Sequence, residues 1–240
     1  MVLQATSRIP VQPLIPPTST FSAARQVLSP ADVDFEHLVG PEGWRRLAPD
    51  IRQRFTEKPT VRQPIRYLGV MRQVGGSPIG AVLAQCCRLI GTPFAPYRAA
   101  DVPVAITLRH EPSGGVIWER EYRYLDRPAA TVRSTKRVGD DGALLECVGF
   151  GLGMRLAVFE ANRALHFLSL SYFWRVGRRE FRLPALLSPG TAHVIHEDLG
   201  AGRFRFSMTI HHPLFGLLFD QNGAFERETQ PKTLTEGVQP

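Results

Sequence analysis

The residues best suited to chemistry are charged side chains on otherwise apolar strand faces. Arg120 lies between Trp118 and Tyr122, and Glu146 interrupts the apolar run Leu144–Val148. Alternate residues of a strand share a face, so both charges are predicted to be buried. A buried arginine is costly unless it is paired. Either Arg120 pairs with Glu146 inside the sheet, or it anchors an acidic headgroup at the rim of an apolar cavity.

A second candidate is the histidine at the end of a strongly alternating segment, Arg203–Gly223. Pro213 ends the alternation, which predicts a strand, a break and a return strand that closes on Asn222–Gly223. Adjacent strand residues point to opposite faces, so His211 and His212 cannot serve one metal site, and the same holds for His193 and His196. We predict no metal. The face shared with His212 comprises Phe204, Phe206, Met208 and Ile210.

The sequence contains none of the usual nucleotide or nucleophile motifs. GxGxxG, GKS, GKT and GxSxG are all absent, so no cofactor is predicted. The glycine-rich run Gly149–Gly153 falls between two predicted strands. This position favours a β-turn or bulge over a phosphate-binding loop.

The chain is basic, with a net charge of +7, and nearly all of its 29 basic residues are arginines. Aromatic and basic residues do not interleave on an exposed face, which argues against a nucleic-acid partner. One predicted hairpin tip carries four arginines, namely Arg175, Arg178, Arg179 and Arg182. Either this tip is a solvated turn, or it contacts an anionic membrane surface.

Cysteine use and hydropathy bear on the compartment. The three cysteines form neither a disulfide framework nor a CxxC metal motif, which suits a reducing compartment. The longest apolar stretch, Ile79–Ile90, is shorter than the ~20 residues that span a bilayer. We therefore predict a cytoplasmic protein.

Helical patterns are confined to the first third of the domain. Ser29 is a predicted N-cap. From Pro41 to Phe55 an apolar stripe is interrupted at Pro49, with Arg45, Arg46, Arg52 and Arg54 mostly off the stripe. After a first strand, Ile65–Val74, an apolar helix to about Leu89 is expected to be well buried against the concave side of a sheet.

Eight or nine period-two segments follow from residue 101, separated by turn residues. They predict an α+β fold, built mainly from an antiparallel curved sheet or partly closed barrel of about eight to ten strands. N-terminal helices and one buried helix after the first strand complete it. Residues 1–28 are predicted to be a disordered proline-rich tail or linker, residues 29–225 a single domain, and residues 226–240 a disordered tail.

Several short motifs in this order give the chain a family resemblance. They are WERxY at Trp118–Tyr122, ECVG at Glu146–Gly149, LPxxLxP at Leu183–Pro189, and FxFxMxIxHPLFG ending at Gly216 and followed by Gly223. Over residues 31–225 the chain resembles the bacterial family catalogued as domain of unknown function 4166. Members stand alone or follow an NAD-binding dehydrogenase-like domain. The resemblance implies a module that holds a hydrophobic substrate, or a catalytic partner of a redox enzyme.

Three functional hypotheses remain open at this point. The first is a domain that binds a lipid-like or polyketide-like molecule in a cavity. Arg120 and His212 would meet its polar end, while Trp118, Tyr122, Phe206, Met208 and Ile210 line the rest. The second is an isomerase, cyclase or hydrolase acting on a hydrophobic carbonyl compound, with His212 as base and Arg120 as electrophilic stabiliser. The third is a module that docks on anionic membranes or on another protein.

Overall fold

Antiparallel pairing joins ten strands into a closed ring. The computed structural model describes residues 33–88 and 95–229. β1 pairs with both β2 and β11, and β6 pairs with both β5 and β7, so the sheet has no free edge on the ring. The strands are β1 Ile65–Gly76, β2 Ala99–His110, β3 Val116–Tyr122, β4 Ala130–Val138, β5 Leu144–Cys147, β6 Leu152–Ala161, β7 Ala164–Val176, β8 Arg179–Arg182, β9 Thr191–Gly200, β10 Arg203–His212 and β11 Gly216–Arg227.

The predicted architecture is therefore confirmed, in its closed form. β8 is the additional strand, because among the described residues it pairs with β7 alone. The alternation predicted for β10 is also confirmed. Its even-numbered residues from 204 to 212 are buried, while Arg203, Arg205 and His211 are exposed. The even positions of β10 thus form the buried face of this strand.

The predicted break at Pro213 is confirmed as a turn at residues 213–215, but the return strand does not close on Asn222–Gly223. Both residues lie inside β11, which continues to Arg227. Gly223 pairs with Met71 on one side and Phe206 on the other. A Cβ at this position would lie 2.5 Å from the carbonyl oxygen of Val70. The glycine therefore permits a close approach of two strands rather than a turn.

Three short helices cover one end of the barrel: α1 Phe35–Val39, α2 Pro41–Arg46 and α3 Pro49–Thr56. The predicted interruption at Pro49 is confirmed, since this proline begins α3. Asp34 caps α1, its side chain accepting from the backbone N–H of His37. The predicted cap Ser29 lies outside the described residues. Phe35 and Phe55 pack edge-to-face with centroids 5.0 Å apart, and both contact Phe167 of β7.

The helix after the first strand, α4 Pro78–Arg88, is confirmed, but its burial is only partial. Gly80 and Ala84 are buried, whereas Ile79 and Val82 are 49% and 65% exposed. α4 packs against β11 at the barrel end opposite α1–α3, because strand side chains already fill the interior. Its predicted end at Leu89 lies outside the described residues. Among the helices that the structure describes, none combines the length and apolar character needed to cross a membrane.

Candidate functional site

A cavity of about 30 Å³ lies inside the barrel. This volume accommodates one or two water molecules or a small polar group. Five of the predicted ligand-binding residues line it: Trp118, Arg120, Glu146, Phe206 and Met208. Lys136, for which no role was predicted, and His196, which was considered only as a metal ligand, line it as well.

Two residues of β4 contact one carboxylate oxygen of Glu146. Its Oε1 lies 3.0 Å from Lys136 Nζ and accepts a hydrogen bond of 2.7 Å from the Ser134 hydroxyl. Burial opposes ionisation of Glu146, but the attraction of Lys136 and Arg120 outweighs it and lowers the pKa of the carboxyl group. Burial lowers the pKa of Lys136, and Glu146 partly offsets this effect. The two form a buried ion pair.

The expected ion pair between Arg120 and Glu146 is wrong. Lys136 stands directly opposite Glu146 in the β4–β5 register, whereas Arg120 stands opposite Val132 and Ile106. Arg120 is 7% exposed. Its Nε is buried without a partner, and no hydrogen bond or ion pair reaches its guanidinium in the described part of the chain.

A second buried arginine enters the barrel from α3. Arg54 Nη1 lies 2.8 Å from His196 Nδ1, and the guanidinium carbon is 3.5 Å from the ring centroid of Phe204. Burial lowers the pKa of Arg54 to about 10, so the group remains a cation near neutral pH. Because an arginine can only donate, His196 Nδ1 accepts and the neutral imidazole carries its proton on Nε2. Burial, followed by Arg54, places the pKa of His196 well below its usual 6.5.

The interior therefore has an excess of donors and of positive charge. Near neutral pH it holds the cations Arg54, Arg120 and Lys136 against the carboxylate of Glu146. Arg120 Nε and Trp118 Nε1 are buried N–H groups without a partner among the described residues. Such an arrangement is complementary to an oxyanion, which supplies both negative charge and acceptors.

Tyr122 and Ile210, also predicted to bind ligand, do not line this cavity. The Tyr122 hydroxyl donates to Gln221 Oε1 at 3.0 Å, and this fully buried side chain links β3 to β11. Ile210 packs between α4 and β11, beside Leu218 and Phe219. In the structure, both side chains belong to the core.

His212 lines a separate open groove of about 690 Å³, together with Tyr172. Its Nδ1 accepts from the backbone N–H of Leu214 at 3.2 Å, and its ring stacks on Phe215 at 4.7 Å. In the neutral ring the proton is therefore on Nε2, and Nδ1 already accepts a hydrogen bond. The second hypothesis requires His212 and Arg120 to share one cavity, and in the described structure they do not.

The arginine hairpin lies at the β7–β8 turn. Arg175 pairs with Glu180 at 2.9 Å, and Arg178, Arg179 and Arg182 are exposed. Contact between this tip and an anionic membrane stays a prediction.

Most of the interior residues that were not predicted lie on a strand face whose apolar pattern is visible in the sequence. Ser134 and Lys136 share a period-two face with Val132 and Val138, and both could have been identified in the same way as Arg120. Arg54 had no such signal, since the helical stripe placed it off the apolar face. Among the described residues, no three His, Cys, Asp or Glu side chains are grouped as a metal site would require.

The glycine-rich run Gly149–Gly153 is confirmed as a connection between strands. Gly149–Gly151 form a 3-10 turn between β5 and β6, in which Phe150 has φ 58°. Trp174 donates its indole N–H to the carbonyl of Phe150 at 3.0 Å.

Comparison with known proteins identifies a family and no characterised relative. No curated protein matches the chain. The model of one family matches residues 47–225, which is more than half of the chain and includes nearly all of the barrel. The motifs at Trp118–Tyr122, Glu146–Gly149 and Leu183–Pro189 all fall inside this match. The chain belongs to the family described as domain of unknown function DUF4166.

Proposed function

We propose that the barrel binds a hydrophobic molecule with an acidic headgroup, such as the carboxylate of a lipid-like acid, and that Arg120 holds this headgroup. The supporting observation is Arg120 Nε, which is buried without a partner among the described residues, in a cavity whose other such atom, Trp118 Nε1, is also a donor. A charged hydrogen bond contributes roughly 1.5–3 kcal/mol.

A purely structural role explains Arg120 poorly. Replacing buried ionic groups by apolar residues of similar volume is often neutral or stabilising, so an unpaired arginine gives no stability that methionine could not give. Water in the cavity would satisfy the N–H groups but would not neutralise the charge. An anionic ligand does both.

The remaining walls of the cavity suit the apolar part of such a ligand. They include Ile106, Phe167, Phe206 and Met208. Binding sites commonly combine mostly apolar walls with a few placed polar groups.

The occupied bases in the cavity favour binding over acid–base catalysis. Glu146 is held by Lys136 and Ser134, and the acceptor nitrogen of His196 is taken by Arg54. The pKa of Glu146 and that of His196 are both lowered, which makes both groups weak bases, whereas a general base works best with a pKa near the operating pH.

Calorimetry with dodecanoate, dodecanol and dodecyltrimethylammonium tests the proposal. The carboxylate should bind, while the alcohol and the cation should bind at least tenfold more weakly. Arg120→Met should weaken dodecanoate binding by about thirtyfold, or ~2 kcal/mol. Arg133→Met, which removes an exposed arginine from the neighbouring strand, is the matched control. Equal binding of the acid and the alcohol would contradict the proposal.

A further inference from the structure

We infer that the open groove between β7 and β9 is the route into the interior and holds the apolar body of the ligand, with Tyr172 as the gate between the two. This inference rests on the proposed function, because it extends the headgroup site. A cavity of about 30 Å³ cannot enclose a hydrocarbon chain. A ligand of the proposed class therefore needs additional space that is continuous with Arg120.

The groove exists because two neighbouring strands separate. β7 and β9 pair only where Leu165–Leu168 face His193–His196. Beyond Leu168, β7 continues to Val176 with β6 and β8 as its partners, and the chain reaches β9 through residues 183–190. Among the described residues, Ser169–Ser171 of β7 therefore have no strand partner on the side away from β6.

Only side chains complete the wall at this position. The backbone N–H of Ala192 donates to Ser169 Oγ at 2.8 Å, where the backbone pairing of β7 and β9 has ended. Ala192 lines the interior cavity, and Ser169 lines the groove. The two spaces are therefore separated by roughly one layer of side chains.

Tyr172 occupies that layer. A bulge at Leu170 shifts the alternation of β7, so that Tyr172 stands opposite Met154, which itself stands opposite Glu146. This row places the ring between the groove and the interior. Burial raises the pKa of its hydroxyl to about 12, and a contact with the Ser169 side chain partly offsets this effect. Moving the ring would therefore disturb at most one weak hydrogen bond of the hydroxyl.

The groove also has suitable size and chemistry. Its volume of about 690 Å³ falls in the range of 300–1,000 Å³ that is typical of ligand sites. Leu170, Leu183, Pro184 and Ala185 supply apolar walls beside Tyr172. The acid would place its carboxylate at Arg120 and its chain along these residues.

Two leucines of one loop, one inside and one outside the groove, provide a test of the groove assignment. Leu183→Asp puts a charge in the groove, whereas Leu187→Asp puts it on the same loop at a 75% exposed side chain outside the lining. Dodecanoate affinity should fall by about tenfold or more in Leu183→Asp and by less than about twofold in Leu187→Asp. Equal affinities for the two variants would overturn the groove assignment.

Stopped-flow mixing with dodecanoate tests the gate. Tyr172→Ala should raise the association rate by about tenfold, while Tyr172→Phe, which keeps the ring, should leave it near the wild-type rate. Identical rates for the alanine variant and the wild type would overturn the gate. Loss of binding in Arg120→Met without loss in Leu183→Asp would refute only the groove, whereas no loss in Arg120→Met would refute the headgroup site.

Discussion

The barrel interior has two halves of opposite character. The paired half, Ser134, Lys136 and Glu146, comes from β4 and β5, and its charges meet at 3.0 Å. The unpaired half, Trp118 and Arg120, comes from β3 and leaves buried N–H groups without partners in the described structure. Both halves contact one small cavity. Under the proposed function, the paired half stabilises the fold and the unpaired half binds the ligand.

The largest effect should come from removing the carboxylate of the paired half. Glu146→Gln leaves Lys136, Arg120 and Arg54 buried without a countercharge. Breaking a buried pair in this way typically costs about 3–5 kcal/mol. Urea denaturation followed by circular dichroism should show a loss of this size in the free energy of unfolding.

The matched control removes a carboxylate from an ion pair at the surface. Glu121→Gln breaks the contact with Arg123, for which about 0–1 kcal/mol is expected. Combining Glu146→Gln with Lys136→Met should recover most of the lost stability, because no unpaired lysine remains. A double variant no more stable than Glu146→Gln alone would contradict this division of the interior.

Acid should destabilise the protein from about pH 6.5 downward, because of His196. Its pKa is lowered in the folded state, by burial first and then by Arg54, Lys136 and Arg120. The unfolded chain therefore binds a proton at this residue near pH 6.5, whereas the folded chain does not. Stability from this residue is fully present above that pH and falls by up to ~1.4 kcal/mol per pH unit below it.

Urea midpoints at pH 7.5, 6.5 and 5.5 measure this slope. His196→Gln should reduce the slope by the amount that corresponds to one bound proton. His211→Gln, at an exposed position of β10, should not change the slope. A residual slope is expected from His166 and His193, since burial lowers the pKa of both. Below about pH 4.5 the lowered pKa of Glu146 adds to the loss, because the unfolded chain binds a proton at this residue while the folded chain keeps it ionised. Identical slopes in the two variants would exclude His196 as the cause.

The smallest effects compare single groups from the two halves. Ser134→Ala removes the 2.7 Å hydrogen bond to Glu146 and should lower the free energy of unfolding by about 1–2 kcal/mol. Arg120→Met should change it by less than about 1 kcal/mol, or raise it, because a long apolar side chain replaces an unpaired charge. The same urea titration measures both. A larger loss in Arg120→Met than in Ser134→Ala would reverse the assignment of the two halves.

Alternation predicted the inward faces well, because burial on one side of a strand imposes a period of two. It placed Arg120 and Glu146 in the interior and separated His211 from His212. It did not predict which charges meet, because partners depend on the register between strands, and register placed Lys136 rather than Arg120 opposite Glu146. Arg54 was missed because the orientation of a short helix depends on the barrel end that it covers.

The ring closes between β1 and β11, at Tyr67 opposite Arg227, so the first and last strands of the barrel must meet. Contacts between such distant residues slow folding, because a long loop must be closed before the pairing stabilises it. During synthesis, β1 and β10 each keep an unpaired edge until β11 has left the ribosome. The nascent chain is therefore most exposed to aggregation just before its last strand is added.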